Sequence, residues 1–127
     1  MDPDFLHEYL SLGISLGILL EDLQQYDEAE KEYREIIKID PDFAEAHFNL
    51  AYLLADLQRY DEAEKEYREI IRIEPNNANA RLNLGVLLRK LQRYDEAKKE
   101  ILKARKLSEE QGRIKDVESC DEILKDL

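Results

Sequence analysis

Apolar residues recur along this chain with the period of a helix rather than that of a strand. Leu50, Leu53, Leu54 and Leu57 stand at i, i+3, i+4 and i+7, one stripe on a helix surface. After a break at Gln58 and Arg59, Ala63, Tyr67, Ile70 and Ile71 continue the stripe on a second helix. Pro41 and Pro75 punctuate the helix ends, since a proline ring has no N–H and cannot continue the preceding helix. Asp27 with Glu30, and Asp61 with Glu64, have the spacing of an N-cap and its third helical residue. Each pair is expected to serve the free amides of a helix start. No segment reads as strand, and neither linker nor low-complexity region is present.

The pattern repeats. Residues 23–39 read LQQYDEAEKEYREIIKI and residues 57–73 read LQRYDEAEKEYREIIRI, differing only at Gln25/Arg59 and Lys38/Arg72. A looser copy, LQRYDEAKKEILKARKL, follows at the same 34-residue spacing over 91–107. A fixed period of this size marks a stacked array, in which one helix pair cannot bury both faces and its neighbours supply the cover. The near-identity of two units is consistent with recent duplication or with a partly engineered sequence. Glu30 with Arg34, Lys31 with Glu35, Glu64 with Arg68 and Lys65 with Glu69 set opposite charges four apart, as on a solvated convex face.

The third unit lacks the proline, with Glu109 at the matching position, so its second helix is expected to run to about Gln111. Gly112 suits the left-handed residue at a helix end. Beyond it, Ile114, Val117, Cys120, Ile123, Leu124 and Leu127 form one stripe, the pattern of a capping helix on the last unit.

Three units agreeing in phase from Leu10 to Gln111 resemble the tetratricopeptide repeat, a 34-residue helix–turn–helix family. Leu16, Leu50 and Leu84 match its leucine; Gly17, Ala51 and Gly85 match the small residue after it, where two helices approach. Tyr26, Tyr60 and Tyr94 match its turn aromatic; Ala29, Ala63 and Ala97 match its second-helix alanine; Pro41 and Pro75 match its terminal proline. The family's early tryptophan is replaced by Gly13, His47 and Arg81. Its turn glycine is replaced by Gln24, Gln58 and Gln92, where a positive φ would carry modest strain. The resemblance implies an all-α fold, a right-handed α-solenoid of antiparallel helix pairs. It would form a single domain with repeats at 10–43, 44–77 and 78–111 and a capping helix at 112–127.

Such repeats resemble adaptors whose concave wall, lined by the first helix of each unit, binds peptides or helices. Mapped here, that wall would hold Ser11, Glu45 and Asn79, then Ile14, Phe48 and Leu82, then Ser15, Asn49 and Asn83. Further along come Ile18, Tyr52 and Val86, with Glu21, Ala55 and Arg89 and finally Asp22, Asp56 and Lys90. The apolar members would form one contiguous surface, as partner sites do, and Asn49 and Asn83 would offer a donor and an acceptor each to an extended peptide. The subclass that grips chaperone tails uses Lys and Asn in the first repeat, Asn in the second, and Lys and Arg in the third. Only Asn49 matches; Ile14, Ile18, Asn79 and Asn83 stand elsewhere in that set, so the carboxylate clamp lacks its cations.

Charge narrows the partner class. The net charge is −11, with 19 basic and 30 acidic residues, which argues against nonspecific nucleic-acid binding. It divides as −13 over residues 1–77, +6 over 78–107 and −4 over 108–127, so a charged partner would be oriented along the axis. His7 and His47 lie in different units with no cysteine or second histidine beside either, so no metal site is expected and His47 reads as a packing residue. No nucleophile–base set or phosphate loop is visible, and neither catalysis nor a cofactor is expected. Cys120, the single cysteine, sits among acidic neighbours and reads as structural. The acidic start MDPDF does not look like a signal peptide, and the apolar run 9–20 is too short to span a bilayer. The chain reads as cytoplasmic and off the membrane.

Two function classes follow: a binding module holding a peptide or amphipathic helix in an apolar groove, or a self-associating structural repeat protein, including a scaffold with no dedicated ligand. The first helix is greasier than its counterparts, with Phe5, Leu6, Tyr9, Leu10, Leu12 and Leu19, and no unit stands before it to cover it. Either residues 2–9 fold back over it, or a second copy does so as a homodimer.

Overall fold

The computed structural model of the protein describes residues 2–127. Seven helices follow in order: α1 Pro3–Asp22, α2 Tyr26–Ile39, α3 Ala44–Asp56, α4 Tyr60–Ile73, α5 Ala78–Lys90, α6 Tyr94–Glu110 and α7 Ile114–Leu124. There is no strand among the described residues. Each helix packs on its neighbours in the chain, and α1 also touches α3, the nearest-neighbour contact scheme of an all-α solenoid.

The turns inside the hairpins share one construction. Gln24, Gln58 and Gln92 each take φ 61°, and Gly112 takes φ 70°. Around each, two amides fold back onto the helix end: Gln24 N–H onto Glu21 O and Gln25 N–H onto Leu20 O, with equivalent bonds in the later turns. This is the Schellman closure, which satisfies carbonyls that a helix end leaves open. Three glutamines thus occupy a conformation that glycine adopts without penalty.

The expected N-cap pairs are not formed. The second helices start at Tyr26 and Tyr60, and Gln25 and Arg59, in the cap position, make no side-chain cap bond. Asp27 and Asp61 lie inside the first turn, where a carboxylate still favours the helix dipole. Glu30 and Glu64 instead bind arginines from the next hairpin, Arg59 Nη1 and Arg93 Nη1, at 2.6 Å each.

Small residues set the helix spacing. Ala29, Ala63 and Ala97 are fully buried. A Cβ built on Gly17 would stand 2.3 Å from Cε1 of Tyr33, and one on Gly85 2.4 Å from Cγ1 of Ile101. Glycine there lets the two helices of a hairpin meet over a large side chain. One continuous core runs from Leu10 and Ile14 to Leu88 and Ala97. A second cluster of Ile101, Ala104 and Cys120, with Leu82, Ile123, Leu124 and Leu127 against it, seals the last hairpin under α7. Cys120 is fully buried, and burial, with Asp116 and Asp121 nearby, pushes its thiol pKa up. Of its stripe, Ile114 faces solvent.

The first hairpin differs. Residues 3–9 do not fold back over α1; they continue it as helix, with Asp2 accepting the Asp4 amide at 2.9 Å and Pro3 in the first turn. Leu16 is therefore exposed, whereas Leu50 and Leu84 at the same repeat position are buried beneath the preceding hairpin.

An aromatic wall as candidate functional site

The aromatic residues of the second unit gather on α3 and α4. Phe48 and Tyr52, one turn apart on α3, stack with ring centroids 5.5 Å apart. Tyr67 of α4 stands edge-on beneath both, at 6.1 Å from Phe48 and 6.4 Å from Tyr52. Such edge-to-face and offset contacts suit the ring quadrupoles. Tyr67 is buried and Tyr52 is 48% exposed, so a covered ring supports an open one. Burial pushes the Tyr67 hydroxyl pKa well above the tyrosine range, with Tyr52 and Asp56 adding to it, so the phenol stays neutral.

Two clefts flank this stack and share Tyr52. One, about 370 Å³, is lined by Ala44, Glu45, Phe48, Asn49, Tyr52, Glu74 and Asn77. The other, about 160 Å³, lies between Tyr52, Ala55 and Asp56 on α3, Tyr67 on α4, and Asn83, Val86 and Lys90 on α5. Glu45, Phe48, Asn49, Tyr52, Asp56, Asn83 and Val86 are thereby brought together. Lys90, expected on the same wall, joins them, as do Tyr67, Glu74 and Asn77, which were not expected; of these three, Tyr67 carried a readable signal, since Tyr33 holds the same repeat position.

Other expected residues go elsewhere. Ile14 is 2% exposed and belongs to the core, so it cannot present a surface to a ligand. Ser15 and Ile18 are exposed on α1 but line neither cleft, and the Ser15 hydroxyl donates to Ser11 O. Leu82 packs against the C-terminal cluster. Arg113 Nη2 donates to Asn79 Oδ1 at 3.1 Å, and Arg89 pairs with Asp126 at 3.8 Å, so residues flanking α7 on either side engage both. The amide groups of Asn49 and Asn83 donate to Glu45 O and Asn79 O on their own helices, at 2.8 Å each. Each retains a free acceptor and one N–H. Arg93 is tied to Glu64 and Glu96, leaving Lys90 as the cation at this wall.

His47 is buried on the far side of α3. Its Nδ1 lies 2.6 Å from Glu66 Oε2 and its Nε2 2.7 Å from Pro41 O. Both partners are acceptors, so only the doubly protonated ring donates to both. Burial is the largest single influence and lowers the pKa, but Glu66 and the Pro41 carbonyl outweigh it, and the net shift is upward. Arg81, one unit later, makes the same two contacts with Pro75 O and Glu100. Among the described residues, no group of three or more His, Cys, Asp or Glu could hold a metal ion, and no helix is long and apolar enough to cross a membrane.

Comparison with known proteins agrees with this architecture. The chaperone SycD of the Yersinia enterocolitica type III secretion translocator superposes with a TM-score of 0.86 at 16% identity. The match covers 95% of this chain and 91% of that one. The yeast Sti1 TPR2B domain, solved in complex with an Hsp70 peptide, gives 0.79 at 24% identity over 93% and 92%. A type III secretion complex from Aeromonas hydrophila gives 0.85 at 16% over 93% and 79%. No curated protein sequence matches. Two tetratricopeptide repeat families match residues 14–78 and 56–117. With the hairpin order and the small residues at the helix contacts, these matches make the chain a member of the tetratricopeptide repeat family.

Proposed function

We propose that this chain is a protein-interaction scaffold that holds an amphipathic segment against the concave wall between α3 and α5. The supporting observation is the Phe48–Tyr52 stack, braced from below by buried Tyr67 and open to two adjoining clefts. A rigid, half-exposed aromatic pair is an anchor of the kind that dominates binding energy at interfaces. Glu45, Asp56 and Glu74 at this wall favour basic residues beside the ligand's apolar face, and Lys90 favours an acidic one at the far end. Among similar folds, the Sti1 TPR2B domain was solved in its Hsp70 complex and SycD is a translocator chaperone, which supports a protein-interaction reading.

The test is an unbiased pull-down followed by titration of the captured segment. Tyr52→Ala or Phe48→Ala should weaken binding about 10- to 100-fold, with little dependence on salt, because apolar burial carries the contact. Asp56→Asn should act mildly and mainly at low ionic strength. A partner bound through the convex face of α4, indifferent to both aromatic substitutions, refutes the reading.

A second reading, favoured by the uncovered apolar face of α1, is that two copies of the chain pair through that helix.

A further inference from the structure

Phe5, Tyr9, Leu12, Leu16, Leu19 and Leu23 follow one another along α1 and its cap at alternating steps of four and three. All six are exposed, by between 44% and 70%. An average step of 3.5 residues is the seam of a two-helix coiled pair. In the later units this face is closed. Ala46, Leu50 and Leu53 on α3, and Ala80, Leu84 and Leu87 on α5, are at most 3% exposed. Their cover is the preceding helix, α2 on α3 and α4 on α5, which runs antiparallel because a short turn joins the two. On α1 that cover is absent.

Helix α1 is also longer. It has 20 residues where α3 and α5 have 13 each, a difference of one heptad. The added residues contribute Phe5 and Tyr9 to the seam, and they are tied down from the other side. Leu6 packs on the core, and the His7 ring stands edge-on to Phe43 at 5.7 Å. The seam then spans about 27 Å at 1.5 Å per residue.

We infer that two copies of this chain pair α1 against α1 in antiparallel orientation, the partner helix taking the place that α2 holds on α3. This geometry rests on the pairing offered above as a second reading. The positions are self-matching: 5 with 23, 9 with 19 and 12 with 16 are all centred on 14. Phe5 then meets the partner's Leu23, Tyr9 the partner's Leu19, and Leu12 the partner's Leu16. Each aromatic ring faces a leucine, and each member of one seam position faces a member of the other. A cavity of about 420 Å³ adjoins the seam, walled by Tyr9, Leu12 and Leu16 on α1 and by Ile36 and Ile39 on α2, with Glu32 and Glu35 also lining it.

Apolar area supports a second copy as occupant, against a like-charge contact at the rim of the seam. Six large apolar side chains at this exposure, with Ile39 beside them, leave several hundred Å² open. That approaches the roughly 800 Å² per partner of a standard interface. Head-to-tail stacking has no matching apolar seam, because the exposed face of α7 and its cap carries Lys115, Glu118, Glu122 and Lys125, with Ile114 alone as a large exposed apolar residue. Glu8 and Asp22 flank the seam and are centred on 15, so the antiparallel pair sets Glu8 near the partner's Asp22. The pair should therefore tighten as salt rises, opposite to a charge-driven contact.

Sedimentation equilibrium of the full chain over a range of concentrations tests the pairing. The expected species is a dimer of the 15.0 kDa chain, tightening with salt. Leu12→Glu with Leu16→Glu should raise its dissociation constant about 100-fold or more without loss of helicity, since both sites are exposed. A wild-type chain that remains monomeric at high concentration overturns the pairing and the geometry with it. Disulfide trapping tests the geometry separately. Phe5→Cys together with Leu23→Cys should cross-link two chains, and Phe5→Cys alone should not, since its two copies would lie about 27 Å apart. A dimer in which Phe5→Cys alone cross-links readily is parallel. That result overturns the antiparallel arrangement while leaving pairing through α1 intact.

Discussion

Arg59 reaches back 29 residues to Glu30 and grips its carboxylate with two nitrogens, at 2.6 and 3.0 Å. The same guanidinium holds Glu62 on its own helix at 2.6 Å. Arg93 repeats the contact one unit on, with Glu64 and Glu96. The arginine sits just beyond the left-handed glutamine, so the turn that closes one hairpin also fastens it to the hairpin before. In the first unit the matching position is Gln25. Arg59 lies first beside Glu62 and then Glu30, and both hold its charge firmly, while the Arg59 bond holds the Glu30 carboxyl below its ordinary pKa.

Arg59→Gln should therefore lower stability by about 0.2–1 kcal/mol at low salt, the range for an exposed ion pair. The loss should shrink as salt is added. Gln25→Arg should stay close to neutral, because no carboxylate of an earlier unit faces it. Denaturant melts of both variants at two ionic strengths check this, and equal effects at the two sites would contradict it.

His47 makes stability depend on pH. Its folded pKa is raised above the unfolded value of about 6.5. The contribution is thus complete below that pH and is lost as pH rises through the folded pKa. Melting temperatures recorded upward from about pH 6 should fall through this window. His47→Arg, which copies Arg81, should flatten the profile, since a guanidinium stays charged throughout. A variant profile parallel to the wild type would show that another group titrates.

Close helix approach predicts steric cost. Ala63 is fully buried, and Ala63→Leu should destabilise by about 1–3 kcal/mol through overpacking. Gly17→Ala should also destabilise, although alanine is the better helix former, because its Cβ would meet the Tyr33 ring. Chemical denaturation measures both, and a stabilised Gly17→Ala would mean that Tyr33 moves aside freely.

The glutamines with positive φ predict a gain. Gln58→Gly relieves the left-handed backbone and should stabilise by about 0.5–1 kcal/mol, after the added freedom of the unfolded chain is counted. The gain should recur at Gln24 and Gln92. Loss of stability at all three would mean that their side chains make contacts that outweigh the strain.

The sequence alone determined what depends on local period and on residue size. The 34-residue spacing carried the helix pairs. Gly17, Ala51 and Gly85 carried the close contacts, because residue size is written locally; the left-handed turns at Gln24, Gln58 and Gln92 were legible only through the family resemblance, since glutamine itself favours no positive φ. The tertiary structure decided which surface a side chain faces. Ile14 and Phe48 hold the same repeat position, yet the compact isoleucine lies inside the core while the phenylalanine ring reaches out to stack on Tyr52. Leu16 and Leu50 also match, but only Leu50 has a helix packed over it. Glu30 looked like a capping residue until the next hairpin brought Arg59 within reach. These outcomes depend on what stands beyond the unit itself, and a repeating sequence assigns its units the same residues while their neighbours differ at the ends of the stack.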